Sequence, residues 1–157
     1  MAGASNHLHI DIDDEKVRDA LQNVLDVVED PTELYKSIGD YLTNSTRDRF
    51  RQEESPEGVA WQELSPTTLL GKRKDDKRIL KEKGISGGLM GRISRQASRE
   101  GVRVGSNVVY AAIHQFGGLA GPKDRRVIIP ARPYLGLSPE DKAEIMQLAK
   151  DEIMQDW

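Results

Sequence analysis

Apolar residues recur along this chain at two periods. Residues 7–13, His-Leu-His-Ile-Asp-Ile-Asp, alternate strictly: Leu8, Ile10 and Ile12 fall on one face, His7, His9, Asp11 and Asp13 on the other. That is the pattern of a short half-buried strand. From residue 14 the period lengthens. Val17, Ala20, Leu21, Val24, Leu25 and Val28 repeat at i, i+3, i+4 and i+7, which predicts an amphipathic helix over 14–29 with Asp13 or Asp14 as its cap. Asp30-Pro31-Thr32-Glu33 opens a second helix, with Asp30 as N-cap and Glu33 at the capping-box position. Leu34, Ile38, Tyr41, Leu42 and Phe50 mark its apolar side as far as about residue 53. Its charged end, Arg-Asp-Arg-Phe-Arg-Gln-Glu-Glu, predicts contact with solvent or a partner.

The periodicity then breaks. Residues 55–69 read as a connector in which Pro56 and Gly58 make a turn and Trp61 and Leu64 tuck back as anchors. Ser65-Pro66 starts a short helix. Residues 71–84 hold seven basic and three acidic residues and read as a partly mobile helix or loop, a reading that extends to 88. Arms at about 91–98 and 102–106, joined through Glu100-Gly101, predict a β-hairpin. Residues 107–117 predict a short buried helix, with Val109, Tyr110, Ile113 and Phe116 on one side and Gly117 closing it. Residues 117–126 read as a loop. Residues 127–130 start a strand, and Pro130 and Pro133 then force an extended path. Ser138-Pro139-Glu140-Asp141 opens a last helix with Ile145, Met146, Leu148, Ala149 and Ile153 on its apolar side.

These elements predict one α+β domain over 1–157. A small, mainly antiparallel sheet from about 8–12, 92–98, 102–106 and 127–130 carries the long N-terminal helices and the C-terminal helix.

Composition narrows the function. The 157 residues include no cysteine, so disulfides and thiolate metal sites are excluded. No apolar run approaches the ~18 residues of a membrane span, and the N-terminus lacks the basic start of a signal peptide. Aromatics make up 5% of the chain, which leaves an aliphatic core that gains from burial against copies or partners. Charge is segregated. Residues 1–70 carry 6 Lys/Arg against 15 Asp/Glu (net −9), residues 71–132 carry 15 against 5 (net +10), and residues 133–157 carry 2 against 6 (net −4). An acidic–basic–acidic chain suits head-to-tail contact between like subunits, and a basic middle also suits nucleic acid.

Candidate chemistry is sparse. His114 has Gln115 beside it, and its nearest following carboxylate is Asp124. A histidine that binds backbone near a helix end therefore outweighs a hydrolytic one. His7-x-His9 is a weak metal spacing, and the glycines at 84, 87, 88 and 91 match no phosphate loop. Tyr110 and Phe116 are the only aromatics within the basic middle, and both are expected to be buried, so no stacking platform for single strands is predicted. No cofactor, metal or catalytic residue is assigned. Arg132 sits between two prolines on a rigid segment, where it could pair bidentately with a carboxylate of a partner or pin 127–137 to the body by an intrachain salt bridge. Arg92, Arg95, Arg103, Lys72, Arg73 and Lys74 are the other candidates for a subunit or partner interface.

Taken in order, "LHIDIDDEKVRDALQNVL", "TRDRFRQEESPEGVAWQELSPTTL", "RILKEKGISGGLMGRIS", "VGSNVVYAAIHQFGG" and "IPARPYLGLS" resemble the phage virion morphogenesis family, the tail completion proteins of Mu-like and related contractile-tailed phages. The resemblance implies a structural protein of the tail end or neck, made in the bacterial cytoplasm and carried in the virion. It would complete the tail and allow head–tail joining, as a ring that is commonly six-fold. Its implied partners are copies of itself and tail-tube or head-completion proteins, with phage DNA passing a basic lumen and no membrane. Trp61, Tyr110, His114, Phe116, Gly117, Pro130, Pro133 and Tyr134 then read as packing residues. The rival from another class is a DNA-binding or packaging-associated protein using the basic 71–132 region.

Overall fold

A computed structural model describes residues 13–72, 78–80 and 88–155. The expected strand at 8–12 and the interface candidates Arg73 and Lys74 lie outside the described residues. Helices α1 (Glu15–Leu25) and α2 (Thr32–Gln52) come first, followed by two short ones, α3 (Pro66–Gly71) and α4 (Gly88–Gly91). A hairpin of β1 (Ser94–Ser98) and β2 (Gly101–Gly105), the short helix α5 (Ala111–Phe116) and strands β3 (Gly118–Ala120) and β4 (Val127–Ile129) lead to α6 (Pro139–Gln155). The class is α+β, as expected.

Local chemistry sets the helix starts. The Asp14 carboxylate accepts from the Val17 amide at 3.2 Å and caps α1. Before α2, the Asp30 carboxylate accepts from both the Thr32 amide (3.1 Å) and its hydroxyl (2.6 Å), so it serves the free donors while Pro31 occupies the flanking position. At α6 the Ser138 hydroxyl accepts from the Asp141 amide (3.0 Å), and Asp141 accepts from the Ser138 amide (2.9 Å), a reciprocal capping box. Helix α2 ends without glycine. Glu53 takes the left-handed conformation (φ 58°, ψ 44°), at a cost of about 1–2 kcal/mol. Its carboxylate accepts from the buried Ile79 amide at 2.7 Å, which offsets part of that cost.

Two apolar clusters form. In one, Val24, Val28, Leu34, Tyr35, Ile38, Ile145 and Ala149 join α1, α2 and α6. In the other, Phe50, Trp61, Ile79, Leu89, Ile93, Ala111, Tyr134 and Leu135 gather the connectors around the end of α2. The β1–β2 hairpin lies on α2. Gly39 permits that approach: a Cβ there would press on the Arg95 side chain and come within 2.8 Å of Val102 Cγ2.

Three expectations about the sheet change. Among the described residues the strands form two separate antiparallel pairs, β1–β2 and β3–β4, rather than one sheet. Strand β4 pairs with Gly118–Ala120 inside the segment read as a loop, because Gly117 and Gly118 swing the chain back immediately after α5. Helix α6 packs mainly on α1 and α2 rather than on a sheet.

Candidate functional site

The second cluster is organised around an extended segment, residues 130–136, that joins no sheet among the described residues. Extended backbone away from a ladder must find its hydrogen bonds elsewhere. Here side chains supply most of those found. Gln115, 5% exposed on α5, accepts from the amides of Tyr134 and Leu135 (both 3.0 Å) and donates to the Leu135 carbonyl (3.1 Å). The Trp61 indole donates to the Pro133 carbonyl at 2.7 Å. The Arg132 amide donates to the His114 carbonyl at 2.7 Å. The Tyr134 hydroxyl donates to the Ala111 carbonyl at 2.8 Å, and burial pushes that phenol far above its ordinary pKa. Phe50 packs edge-on to Trp61 (5.4 Å between centroids) and tilted against Tyr134 (5.1 Å).

Arg132 is buried and donates to the carbonyls of Gln62 (2.8 Å) and Glu63 (3.0 Å). It pins the segment to the body, as one expectation had it, but through carbonyls of the connector after α2 where a carboxylate of this chain was expected. Burial lowers its pKa, and the Glu53 charge acts in the opposite sense.

A buried ion pair clamps the far end of the segment. Arg49 donates to the carbonyls of Tyr134 (3.0 Å) and Gly136 (3.2 Å), to the Ser45 hydroxyl (3.2 Å) and to the Asp141 carboxylate. Asp141 also accepts from the Ser45 hydroxyl at 2.5 Å. Arg49 and Asp141 are 4% and 1% exposed. Tyr41, which also lies beside Asp141, has its phenol pushed up to about 12, first by burial and then by that charge.

The other candidates divide. Arg95 chelates Asp40 on α2 (2.5 and 3.1 Å) and straps the hairpin down; that guanidinium holds the Asp40 carboxyl below the ordinary range. Lys72 reaches the Arg78 carbonyl at 2.6 Å. Arg92 and Arg103 are exposed. His114 is half-buried, with its ring edge against Tyr110 (5.9 Å, 79°). No group of three or more His, Cys, Asp or Glu among the described residues could hold a metal ion.

Two packing assignments are corrected. Phe116 is 63% exposed and Tyr110 42%. The helix is one turn shorter than expected and starts only at Ala111, so its buried face is Ala111 and Gln115 while Val109, Tyr110 and Phe116 turn outward. Beyond them β3 and β4 form an arm with Leu119 and Ile128 directly opposite each other and exposed. Gly117 sets its root. At φ 72°, an added Cβ would meet the Ala131 amide nitrogen at 2.8 Å and the Ile129 carbonyl at 2.9 Å.

Sequence reasoning missed Gln115, Arg49 and Asp141. Gln115 stood beside the more conspicuous histidine, Arg49 within a charged helix end, and Asp141 within a capping pattern that explains an acid without requiring burial.

A model of the phage virion morphogenesis family matches residues 12–154. The chain is 25% identical over 147 residues to the "Putative capsid assembly protein G" of Escherichia phage Mu, spanning 93% of this chain and 94% of that protein. It is 49% identical over 63 residues to the "Mu-like prophage FluMu G protein 2" of Haemophilus influenzae, spanning 40% of this chain and 45% of that protein. No solved structure matches the chain significantly.

Proposed function

The chain belongs to the phage virion morphogenesis family, and from that premise we propose that it is a structural, non-catalytic protein of the tail end or neck, completing the tail and allowing head–tail joining as a ring of like subunits. The match over 12–154 carries the reading, because it embraces both the clamped segment and the arm. Two further features support it. Residues of the runs "YAAIHQFGG" and "IPARPYLGLS" hold backbone in place, which is scaffold work. Val109, Tyr110, Phe116, Leu119, Val127 and Ile128, exposed on the arm and the stretch before it, are apolar surface that a subunit in a ring would bury.

Deleting the gene from the phage genome that carries it, inducing, and imaging the lysate tests the proposal. Filled heads lying apart from tails, or tails of abnormal length, are the expected result. Normal joined particles would overturn it. The net +10 of residues 71–132 supports the second reading, contact with phage DNA during packaging or passage. Purified protein whose DNA binding falls steeply with salt would favour it.

A further inference from the structure

We propose that the β3–β4 arm of one copy docks on a second copy of this chain, with its basic tip entering the acidic cleft between α2 and α6 of that copy. The inference rests on the ring reading above and supplies its subunit contact.

The arm is an unfinished structure. Two three-residue strands make a ribbon that is marginal in water on its own. Its apolar cross-strand pair is left largely uncovered: Leu119 is 59% exposed and Ile128 81%, with Val127 at 56%. Exposed apolar residues clustered on one element mark a docking surface. The tip that follows carries Lys123, Arg125 and Arg126 against Asp124, all exposed.

Charge complementarity points to a second copy. A cleft of about 540 Å³ is lined by residues from the end of α2, the turn after it and the start of α6. Asp48, Glu54, Glu57 and Glu140 line it; Asp48 is paired with Arg51, and the buried Arg49 and Asp141 satisfy each other, so Glu54, Glu57 and Glu140 leave the cleft net negative. Pro56 and Pro139 also line it, and the neighbouring Val59 is 65% exposed, giving an apolar counter-surface for Leu119 and Ile128. The arm ends at Ile129 and the cleft begins near Gly136, with the extended clamped segment between them. Seven extended residues span roughly 23 Å. The two surfaces are therefore different patches of one molecule, and their contact is head-to-tail, the kind that closes rings.

The absence of native cysteine makes the test direct. Arg125→Cys and Glu57→Cys are placed together in the only copy of the gene, and particles are purified, oxidised and run on a non-reducing gel. A ladder of disulfide-linked dimers and higher multimers is expected. Particles that contain the chain as monomer alone would overturn the docking and leave the virion role standing. A wild-type chain absent from particles and monomeric when purified would overturn the ring reading and the docking with it. Should the double variant yield no particles, charge reversal decides. Arg125→Glu with Arg126→Glu is expected to lower infectious yield about tenfold, and Glu54→Arg with Glu57→Arg in a co-expressed copy is expected to restore it. Failure to restore yield, with both variants folded by circular dichroism, would refute the contact. Restoration between separate chains would exclude an arm that folds back on its own cleft.

Discussion

Replacing Arg49 by Met strands a buried carboxylate. Arg49 and Asp141 are nearly inaccessible, so neither charge can fall back on water. Removing one member of such a pair costs about 3–5 kcal/mol. The surroundings decide where in that range each variant falls. Without Arg49, Asp141 keeps the Ser45 hydroxyl and the Ser138 amide, which places Arg49→Met near ~3 kcal/mol. Asp141→Leu also removes half of the capping box of α6, worth about 1 kcal/mol, so its cost is about 4 kcal/mol. The double variant strands no charge. It loses the cap and the donors to the Tyr134 and Gly136 carbonyls, and its cost is about 2 kcal/mol. The coupling in this cycle is therefore about 5 kcal/mol, far above the ~0.5 kcal/mol scatter expected of independent sites. Urea unfolding of the four proteins, followed by far-UV circular dichroism, measures it. For a domain of this size Arg49→Met should also lower Tm by about 6–12 °C. A cost below about 1 kcal/mol for Arg49→Met, or costs of the two single changes that simply add, would refute the picture of a mutually dependent buried pair.

Gln115→Leu is close in shape but leaves the amides of Tyr134 and Leu135 without an acceptor, so unfolding free energy should drop by about 2–4 kcal/mol; a neutral variant would show that the segment is held by packing alone. Acid sensitivity follows from Asp14 and Asp40, whose carboxyls are held below the ordinary range chiefly by Lys142 and by Arg95 respectively. A lowered folded-state pKa gives stability that is complete above the unfolded-state value and is lost as pH falls through the folded one. The contribution of these two should be constant from about pH 5 upward and fade below it, and Asp14→Asn with Asp40→Asn should flatten that acid limb in thermal melts taken from neutral to acid pH.

What could be read from the sequence was what depends on nearest neighbours. The i, i+3, i+4 rows of Val17–Val28 and Leu34–Phe50, the Ser138 cap and the Glu100-Gly101 turn are local rules, and they place α1, α2, α6 and the first hairpin. The outward turn of Tyr110 and Phe116 was not legible, because a short apolar run has no periodicity strong enough to fix its phase. Gln115 and Arg49 were not legible for a different reason. Apart from Ser45, four positions from Arg49, their partners lie 19 to 92 positions away, and neither residue type signals burial until those partners are known. Arg132 was singled out for the right reason, a rigid setting between prolines, but the acceptors were carbonyls, which every sequence contains and none advertises.

The clamp explains why such scattered side chains converge on seven residues. In the proposed ring both docking surfaces hang from the 130–136 segment: Gly117 and the His114 carbonyl hold it where the arm begins, and Arg49 holds it where the cleft begins. Ring closure multiplies any error in the angle between donor and receptor surfaces by the number of subunits, so the element joining them must be stiff. A sheet would provide stiffness through neighbouring strands, but it would also bury the arm it has to project. Hydrogen bonding from Gln115, Trp61, Arg132 and Arg49 gives an extended segment fixed geometry while leaving its continuation free to reach another copy. On this argument a loosened clamp damages assembly before it damages folding. Trp61→Phe keeps an aromatic ring in edge contact with Phe50 but loses the bond to the Pro133 carbonyl, so it should leave a folded chain that joins particles poorly.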